Sequence, residues 1–600
     1  MIPRRADIGL VQRPFPAIVL VWLGVSTIIA LASPHLAAAR FPDVDDTMRL
    51  LQVRDLLAGQ DWFDLRQYRI NPPEGTLMHW SRLVDAPLAG LIWLLSHVLP
   101  AARAEFLVAF AAPLLLMLMT MLAVGRIALQ RFGLRVTLLA IGAFALMPMV
   151  PAQFQPLRID HHGWQILMVA LALWAVFQSH AVRGGTIAGL AMAAGLVISL
   201  ETVVMAAGFA LLFTWRWLAD PAARVWLVRY LQALAGGLAA FFALTRGVAD
   251  LAAHCDAIAP AHLGLFGTIA VGVSVLGLAS PASRLMVLGG LAASGLAGIA
   301  VLGATAPACL ASPFAGLDPL VRDLWYLRVT EGMPVWQQPI GEAFSAVVQC
   351  LVALGVAIVC AARGDEGLRD WWREYALVLA VAILGGLATW RSIAFAGIMC
   401  TIPLAVLAAR VIDLWQGSAR LPARLAAAIA IYLVFLPAPA ALALDGLLHR
   451  TGAINEPEIF PSTCEIHNTM RHIDRLPAGI VFAPLDIGPP LLLDTHHSII
   501  GSGHHRSASG MRDVIAAFTG NQATAHQQIT AHRADYVVVC TDVVEFTNYR
   551  AAGGPDSFAN ALVEGPLPDW LEPVDLPLPD ALRVWKVVRP SSGQAGPQPR

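Results

Sequence analysis

The stretch Phe41-Pro-Asp-Val-Asp-Asp-Thr-Met-Arg49 follows the first long apolar segment of the chain, and its setting decides how the rest is read. Residues 17–32 are apolar and are preceded by Arg4, Arg5 and Arg13. Three carboxylates, Asp43, Asp45 and Asp46, then stand where the hydrophobic run gives way to a polar loop. Carboxylates beside a membrane are costly unless solvated, paired or bound to a cation. Two readings follow. The acids cap a helix over residues 47–57, where aspartate at the N-terminus satisfies free N–H groups. Alternatively, adjacent acids at a membrane surface hold a hard divalent cation beside a phosphate-bearing substrate.

Composition supports the membrane setting. Of 600 residues, 57% are hydrophobic and 14% charged, and many windows reach the roughly 20 apolar residues that span a bilayer. The formal net charge of −1 gives no electrostatic case for nucleic acid as a partner. The first apolar run resembles a signal peptide in its basic flank, but the many later spans favour an uncleaved first helix.

Arginine-bearing loops alternate with acidic or histidine-bearing ones, so orientation follows from the positive-inside rule. The expected architecture is a polytopic α-helical membrane protein of about thirteen transmembrane helices with a C-terminal soluble α/β domain. The N-terminus is cytoplasmic and the C-terminal domain periplasmic or otherwise extracytoplasmic. Residues 1–446 form the membrane part. Within it, 33–85 is a first outer loop and 305–341 a late outer loop, while 86–99 is a re-entrant or membrane-lying helix. Residues 447–590 form the α/β domain, with buried strands at 479–483 and 536–540 and helices at 509–518 and 523–534. Residues 591–600 read as a disordered tail. Of seven cysteines, five lie in or near the apolar part. Cys464 and Cys540 form one disulfide if their domain lies outside the cytosol, or remain two buried thiols.

A second polar motif, Arg158-Ile-Asp-His-His162, falls at the outer end of a span, in the same leaflet as the acidic loop. Asp160 and His162 are two apart and reach one ion if the local chain is extended. Glu331, in Arg328-Val-Thr-Glu-Gly332, lies in the late outer loop. Arg391 ends a late span, where it either snorkels to headgroups or binds a lipid phosphate. Glu201 is a weaker candidate of the same kind. The run Asp486-Ile-Gly-Pro-Pro490, Thr495-His-His-Ser-Ile-Ile500 and Gly503-His-His-Arg506 is rich in histidine, for which a structural or acceptor-positioning role is favoured over a second metal site.

The order of these features resembles the GT-C superfamily of membrane glycosyltransferases, and most nearly the catalytic subunit of oligosaccharyltransferases. Asp45-Asp46 followed by a helix resembles the first acidic motif of that family. Asp160-His161-His162 resembles the Asp-x-His form of its second motif. Val329-Thr330-Glu331 loosely resembles the end of its late-loop Thr-Ile-x-Glu motif, and Arg391 sits where the family has a donor-phosphate arginine. The resemblance implies a divalent metal ion, Mg2+ or Mn2+, held by Asp46, Asp160 and His162, with Glu331 beside them. It implies catalytic roles for Asp45 or Asp46 and for Glu331, and donor-phosphate contacts from Arg391 and Arg158. The donor is then a polyprenyl-phosphate or -diphosphate sugar, in keeping with the lack of a nucleotide-binding glycine loop. The donor's lipid then lies between helices, and membrane lipids are further partners.

One departure stands out. The family's Trp-Trp-Asp-Tyr-Gly sequon-reading motif is absent, and Trp371-Trp372-Arg-Glu-Tyr375 is only superficially similar and falls in an inner loop. The acceptor is left open between protein, lipid and polysaccharide. Rival readings are a transporter or flippase of lipid-linked glycans and a non-catalytic glycan-assembly protein. The acids at helix ends, and the lack of repeats, argue against transport.

Overall fold

The computed structural model describes residues 14–589, apart from 148, 280–282, 313, 315, 418–419, 438–440, 442–445 and 447–461. The expected tail at 591–600 lies outside the described residues. Among the described residues, ten helices are long and apolar enough to cross a membrane, from Pro14–Ala32 to Trp390–Gly417. Three shorter apolar helices, Leu134–Leu146, His162–Val176 and Leu421–Phe435, occupy the remaining places at which spans are expected. The chain is an integral membrane protein built as a helical bundle. Its core runs through Met117, Phe144, Leu173, Phe209, Tyr375 and Met399, all at most 1% exposed. Trp371 and Trp372 are buried in this bundle against Phe132, and Trp371 and Tyr375 also meet Phe177, which gives these aromatics a packing role.

The first long loop folds as a compact unit at one end of the bundle. Helix Val44–Leu57 begins at Asp43, whose Oδ1 accepts the Asp45 N–H at 3.1 Å. Helix Arg82–Ser96 begins at Ser81, whose hydroxyl accepts the Leu83 N–H. It covers most of residues 86–99, the expected re-entrant or membrane-lying segment. Between the two helices, β1 (Arg66–Gln67) and β2 (Thr76–Leu77) pair antiparallel. Arg49 and Arg82 meet Asp85 at 2.6 and 3.1 Å, all three side chains at most 1% exposed, and Arg49 also lies over the Trp80 ring. The Asp85 carboxylate shared by the two guanidinium groups, with Arg82 also donating to the carbonyls of Trp62 and Asp64, offsets part of the cost of burying these charges.

The C-terminal part carries a five-stranded sheet: β3 (Ile480–Phe482), β4 (Ser498–Ile499), β5 (Tyr536–Cys540), β6 (Leu571–Pro573) and β7 (Leu582–Val587), in the order β4-β3-β5-β7-β6. The β4-β3-β5 part is parallel, and β7 and β6 add antiparallel. Every residue of β5 is buried. Val537 and Val539 face one core and Tyr536, Val538 and Cys540 the other, as expected of a central strand covered on both faces. The expected helices appear as Ala508–Thr519 and Gln522–Ala531.

This sheet is joined to the first loop. Asn71 N–H donates to Ile499 O and Ile499 N–H to Arg69 O, each at 2.8 Å, so the loop backbone runs beside β4. The Arg69 guanidinium donates to the carbonyls of Leu492, Thr495 and His497. Two disulfides lie at the same end, Cys464–Cys540 and Cys255–Cys309. The first is one of the two alternatives left open above. The second joins cysteines grouped with the apolar part on sequence alone; they sit in loops at the bundle end. Cys350, Cys360 and Cys400 are free and buried.

Candidate active site

The helix that begins at Asp43 places Asp45 and Asp46 in its first turn, where the positive end of the helix favours negative charge. Asp46 is 0% exposed, and its Oδ1 accepts the Asp160 N–H at 2.9 Å. The first and second motifs therefore meet directly. Asp160 folds back on its own segment: Oδ1 accepts the His162 N–H at 2.9 Å and Oδ2 lies 2.7 Å from His162 Nδ1. The His161 and His162 rings stack with centroids 4.2 Å apart.

Arg158 lies among these acids. Its NH1 is 3.1 Å from Asp43 and 3.5 Å from Asp46, and its NH2 is 3.0 Å from Asp160. The guanidinium is 8% exposed and is committed to carboxylates. Asp43 thus serves two ends, one oxygen capping the helix and the other meeting Arg158.

Electrostatics separate the acids. Burial pushes the Asp46 carboxyl well up, as do the charges of Asp160 and Asp43, against the opposing pull of Arg158. Burial likewise raises Asp43, helped by Asp45 and by Glu331. Burial acts upward on Asp45 and Asp160 too, but there it loses. The contact with His504 and the nearby His161 hold Asp45 well below the carboxylate range, and Arg158 and His162 do so for Asp160. The site therefore contains firmly ionised carboxylates beside ones that resist ionisation, an arrangement suited to divided acid–base roles.

Glu331 and Arg391 form an ion pair at 3.0 Å, and Arg391 also pairs with Glu201. Gln338 fixes the late loop by donating to Thr330 O at 2.6 Å, and Trp390 N–H donates to Met333 O. His504, from the C-terminal part, brings Nε2 to 3.3 Å from Asp45 Oδ1. Asp486 joins the same electrostatic system. Crowding by protein and then the charge of Asp43 push its carboxyl up to about 6.

Asp160, His161 and His162 offer ligand atoms within 4.8 Å of one another. Buried Asp46 Oδ2, His161 Nδ1 and His162 Nε2 have no hydrogen-bond partner, and orphaned groups of that kind beside a carboxylate suit a cation. Of the expected set, Asp160 and His162 converge with His161, while Asp46 meets Asp160 through its backbone N–H and stands outside that group; Arg158 supplies a positive charge to the same acids. His161 and His504 were not singled out on sequence. Both stand in quoted His-His pairs, but only the fold tells which ring of each pair faces the acids.

No family model matches the chain, and no curated protein does. Solved structures do. The archaeal oligosaccharyltransferase AglB from Archaeoglobus fulgidus, in complex with an inhibitory peptide and a dolichol-phosphate, aligns with a TM-score of 0.65 at 14% identity, over 92% of this chain and 72% of that one. The A. fulgidus enzyme tethered to an acceptor peptide containing the NVT sequon aligns at 0.61 and 13%, over 91% and 71%. The form with Zn and sulfate aligns at 0.57 and 13%, over 88% and 68%. At these identities the likeness establishes a fold. The chain is a membrane protein that shares the fold of these archaeal oligosaccharyltransferase structures.

Proposed function

We propose that this protein is a glycosyltransferase that moves a sugar or oligosaccharide from a polyprenyl-phosphate or -diphosphate donor to an acceptor at the outer face of the membrane. The observation that carries the reading is the meeting of Asp46 with Asp160. It gathers Asp43, Asp45, Arg158, His161 and His162 at the end of the bundle that also carries the Glu331–Arg391 pair. The dolichol-phosphate and acceptor peptide bound by the AglB structures support a lipid-linked donor and a protein acceptor.

In the proposed reaction the acceptor's hydroxyl or amide attacks the anomeric carbon, and the bond from that carbon to the donor phosphate oxygen breaks. The leaving phosphate carries the developing negative charge, which Arg391 stabilises on release from one of its glutamates. Asp45, ionised and one-quarter exposed, orients the acceptor and receives its proton. Arg158 keeps the three surrounding acids in place. Its buried Nε has no hydrogen-bond partner, so the donor-phosphate contact expected from sequence is retained as part of the proposal. Asp46, Asp160 and His162 would hold the divalent ion, Mg2+ or Mn2+. When bound, the ion supplies Lewis-acid stabilisation of phosphate oxygens.

The two disulfides at the site end support its placement on the extracytoplasmic side, with the N-terminus cytoplasmic. We place the division between the membrane catalytic part and the α/β domain near residues 446–447; residues 447–461 lie outside the described residues, and the first strand of the C-terminal sheet begins at Ile480. Purified protein supplied with a polyprenyl-phosphate-linked sugar tests the reading. Transfer that is lost in Asp46→Ala and Asp160→Ala at unchanged expression supports it, and full retention in both overturns the site.

A further inference from the structure

The turn Gly503-His-His-Arg506 is a sequence feature that the chemistry above leaves without a role. It reaches from the end of β4 into the site. His504 is 2% exposed and is held from several directions. Its N–H donates to Ser502 O at 2.7 Å, and its carbonyl accepts the Ser507 N–H at 2.8 Å. The ring meets Trp80 edge-on at 5.1 Å, and Nδ1 lies 2.9 Å from Ser502 Oγ. The next two residues lock the turn: His505 Nε2 and Arg506 Nε each lie 2.7 Å from Asp256 Oδ2. Asp256 in turn follows Cys255, which is tied to Cys309.

This anchoring leaves one atom of His504 uncommitted. Buried Nε2 has no well-aligned hydrogen-bond partner and faces Asp45 Oδ1 at 3.3 Å. Among the described residues, His504 is the side chain that contacts the Asp45 carboxylate. In the tautomer in which the Ser502 hydroxyl donates to Nδ1, the ring N–H is Nε2–H, directed at Asp45. Catalytic contacts are often long before substrate binds and tighten in the complex.

We propose that His504 is a positioning residue for Asp45, and that the C-terminal domain thereby completes the active site. The Ser502–His504 pair fixes the orientation of the carboxylate that receives the acceptor. The inference rests on the glycosyltransferase reading for its catalytic meaning, while the contact itself does not.

The test uses full-length protein in liposomes with a polyprenyl-phosphate-linked sugar. It compares His504→Ala, His504→Gln and Asp45→Ala, and includes a thermal-melting double-mutant cycle of Asp45→Ala with His504→Ala. A residue that orients another lowers turnover by about 10–100-fold when removed. His504→Ala is therefore expected to cut kcat by that factor with the donor KM unchanged. His504→Gln, whose amide N–H extends toward the Nε2 position, recovers most of the loss. The melting shifts of the cycle are non-additive. An unchanged kcat in His504→Ala, a glutamine variant no better than alanine, or an additive cycle overturns the proposal. A wild type that transfers no sugar overturns the glycosyltransferase reading and the catalytic role together, while a non-additive cycle then still establishes the contact.

Discussion

Asp46 accepts the backbone N–H of Asp160 at 2.9 Å, across 114 residues of sequence. This bond joins the first loop to the end of a membrane segment, and its acceptor is fully buried. Replacing Asp46 by alanine removes both the acceptor and the adjacent oxygen that lies 3.5 Å from Arg158. Groups that support a metal-bearing or catalytic shell cost about 10–100-fold when removed. Asp46→Ala is expected to lower transfer by at least that much, with the melting temperature measured alongside to confirm folding.

Arg391 is expected to act on the donor. Freed of one glutamate it presents a guanidinium to a phosphate, and charge-assisted pairs of that kind are strong and geometrically specific. Arg391→Ala should raise the donor KM by about tenfold, from the loss of some 1.4 kcal/mol. Arg391→Lys should restore only part, because a point charge lacks the bidentate fork. Steady-state kinetics over donor concentration would show this. An unchanged KM in Arg391→Ala would remove the arginine from the donor site.

The Arg49–Asp85–Arg82 cluster is structural. Asp85→Ala leaves two buried guanidinium groups without their carboxylate. Breaking a buried pair from one side costs about 3–5 kcal/mol. A marked fall in melting temperature is expected, with loss of activity secondary to it.

Stability should also depend on pH through Glu545. Its carboxyl is pushed up to about 8 by burial and by Asp486, and it accepts the N–H groups of Leu485 and Asp486 and the Tyr549 hydroxyl. The folded state binds this proton more tightly than the unfolded chain, whose glutamate ionises near 4.5. Its stabilising contribution is full below that value and is lost as pH rises through about 8. Melting between pH 5 and 9 should show the decline, and Glu545→Gln should flatten it.

Cysteine pairing offers a test of the placement. In protein denatured without reductant, Cys350, Cys360 and Cys400 should react with a maleimide, and the two pairs Cys255–Cys309 and Cys464–Cys540 should react only after reduction. Mass spectrometry counts the adducts. Reaction of all seven without reductant would count against an oxidising compartment.

Much of the fold is legible because apolar length and loop arginines are local signals. Ten helices long enough to cross a membrane, the three shorter apolar helices and the buried strand Tyr536–Cys540 are written in consecutive residues. Strands β6 and β7 were missed. Leu571-Glu-Pro573 carries a proline that argues against a strand, tolerated here at the sheet edge, and Leu582–Val587 is a short alternation near the chain end. At the site, the capping and catalytic readings of the acidic loop are compatible. Asp43 caps the helix, while Asp46, one turn in, reaches Asp160. What local sequence withholds is pairing across distance. The three carboxylates around Arg158 come from distant segments, and His504 reads as one of many histidines until its turn is docked beside Asp45.

The central claim is that the junction of Asp46, Asp160 and His162 performs sugar transfer. Its most direct test is transfer from a polyprenyl-phosphate-linked sugar by purified wild-type protein with Mn2+, against Asp160→Ala of matched expression and melting temperature. The account predicts transfer by the wild type and a loss of about 100-fold or more in the variant. Equal transfer by the two proteins would contradict it.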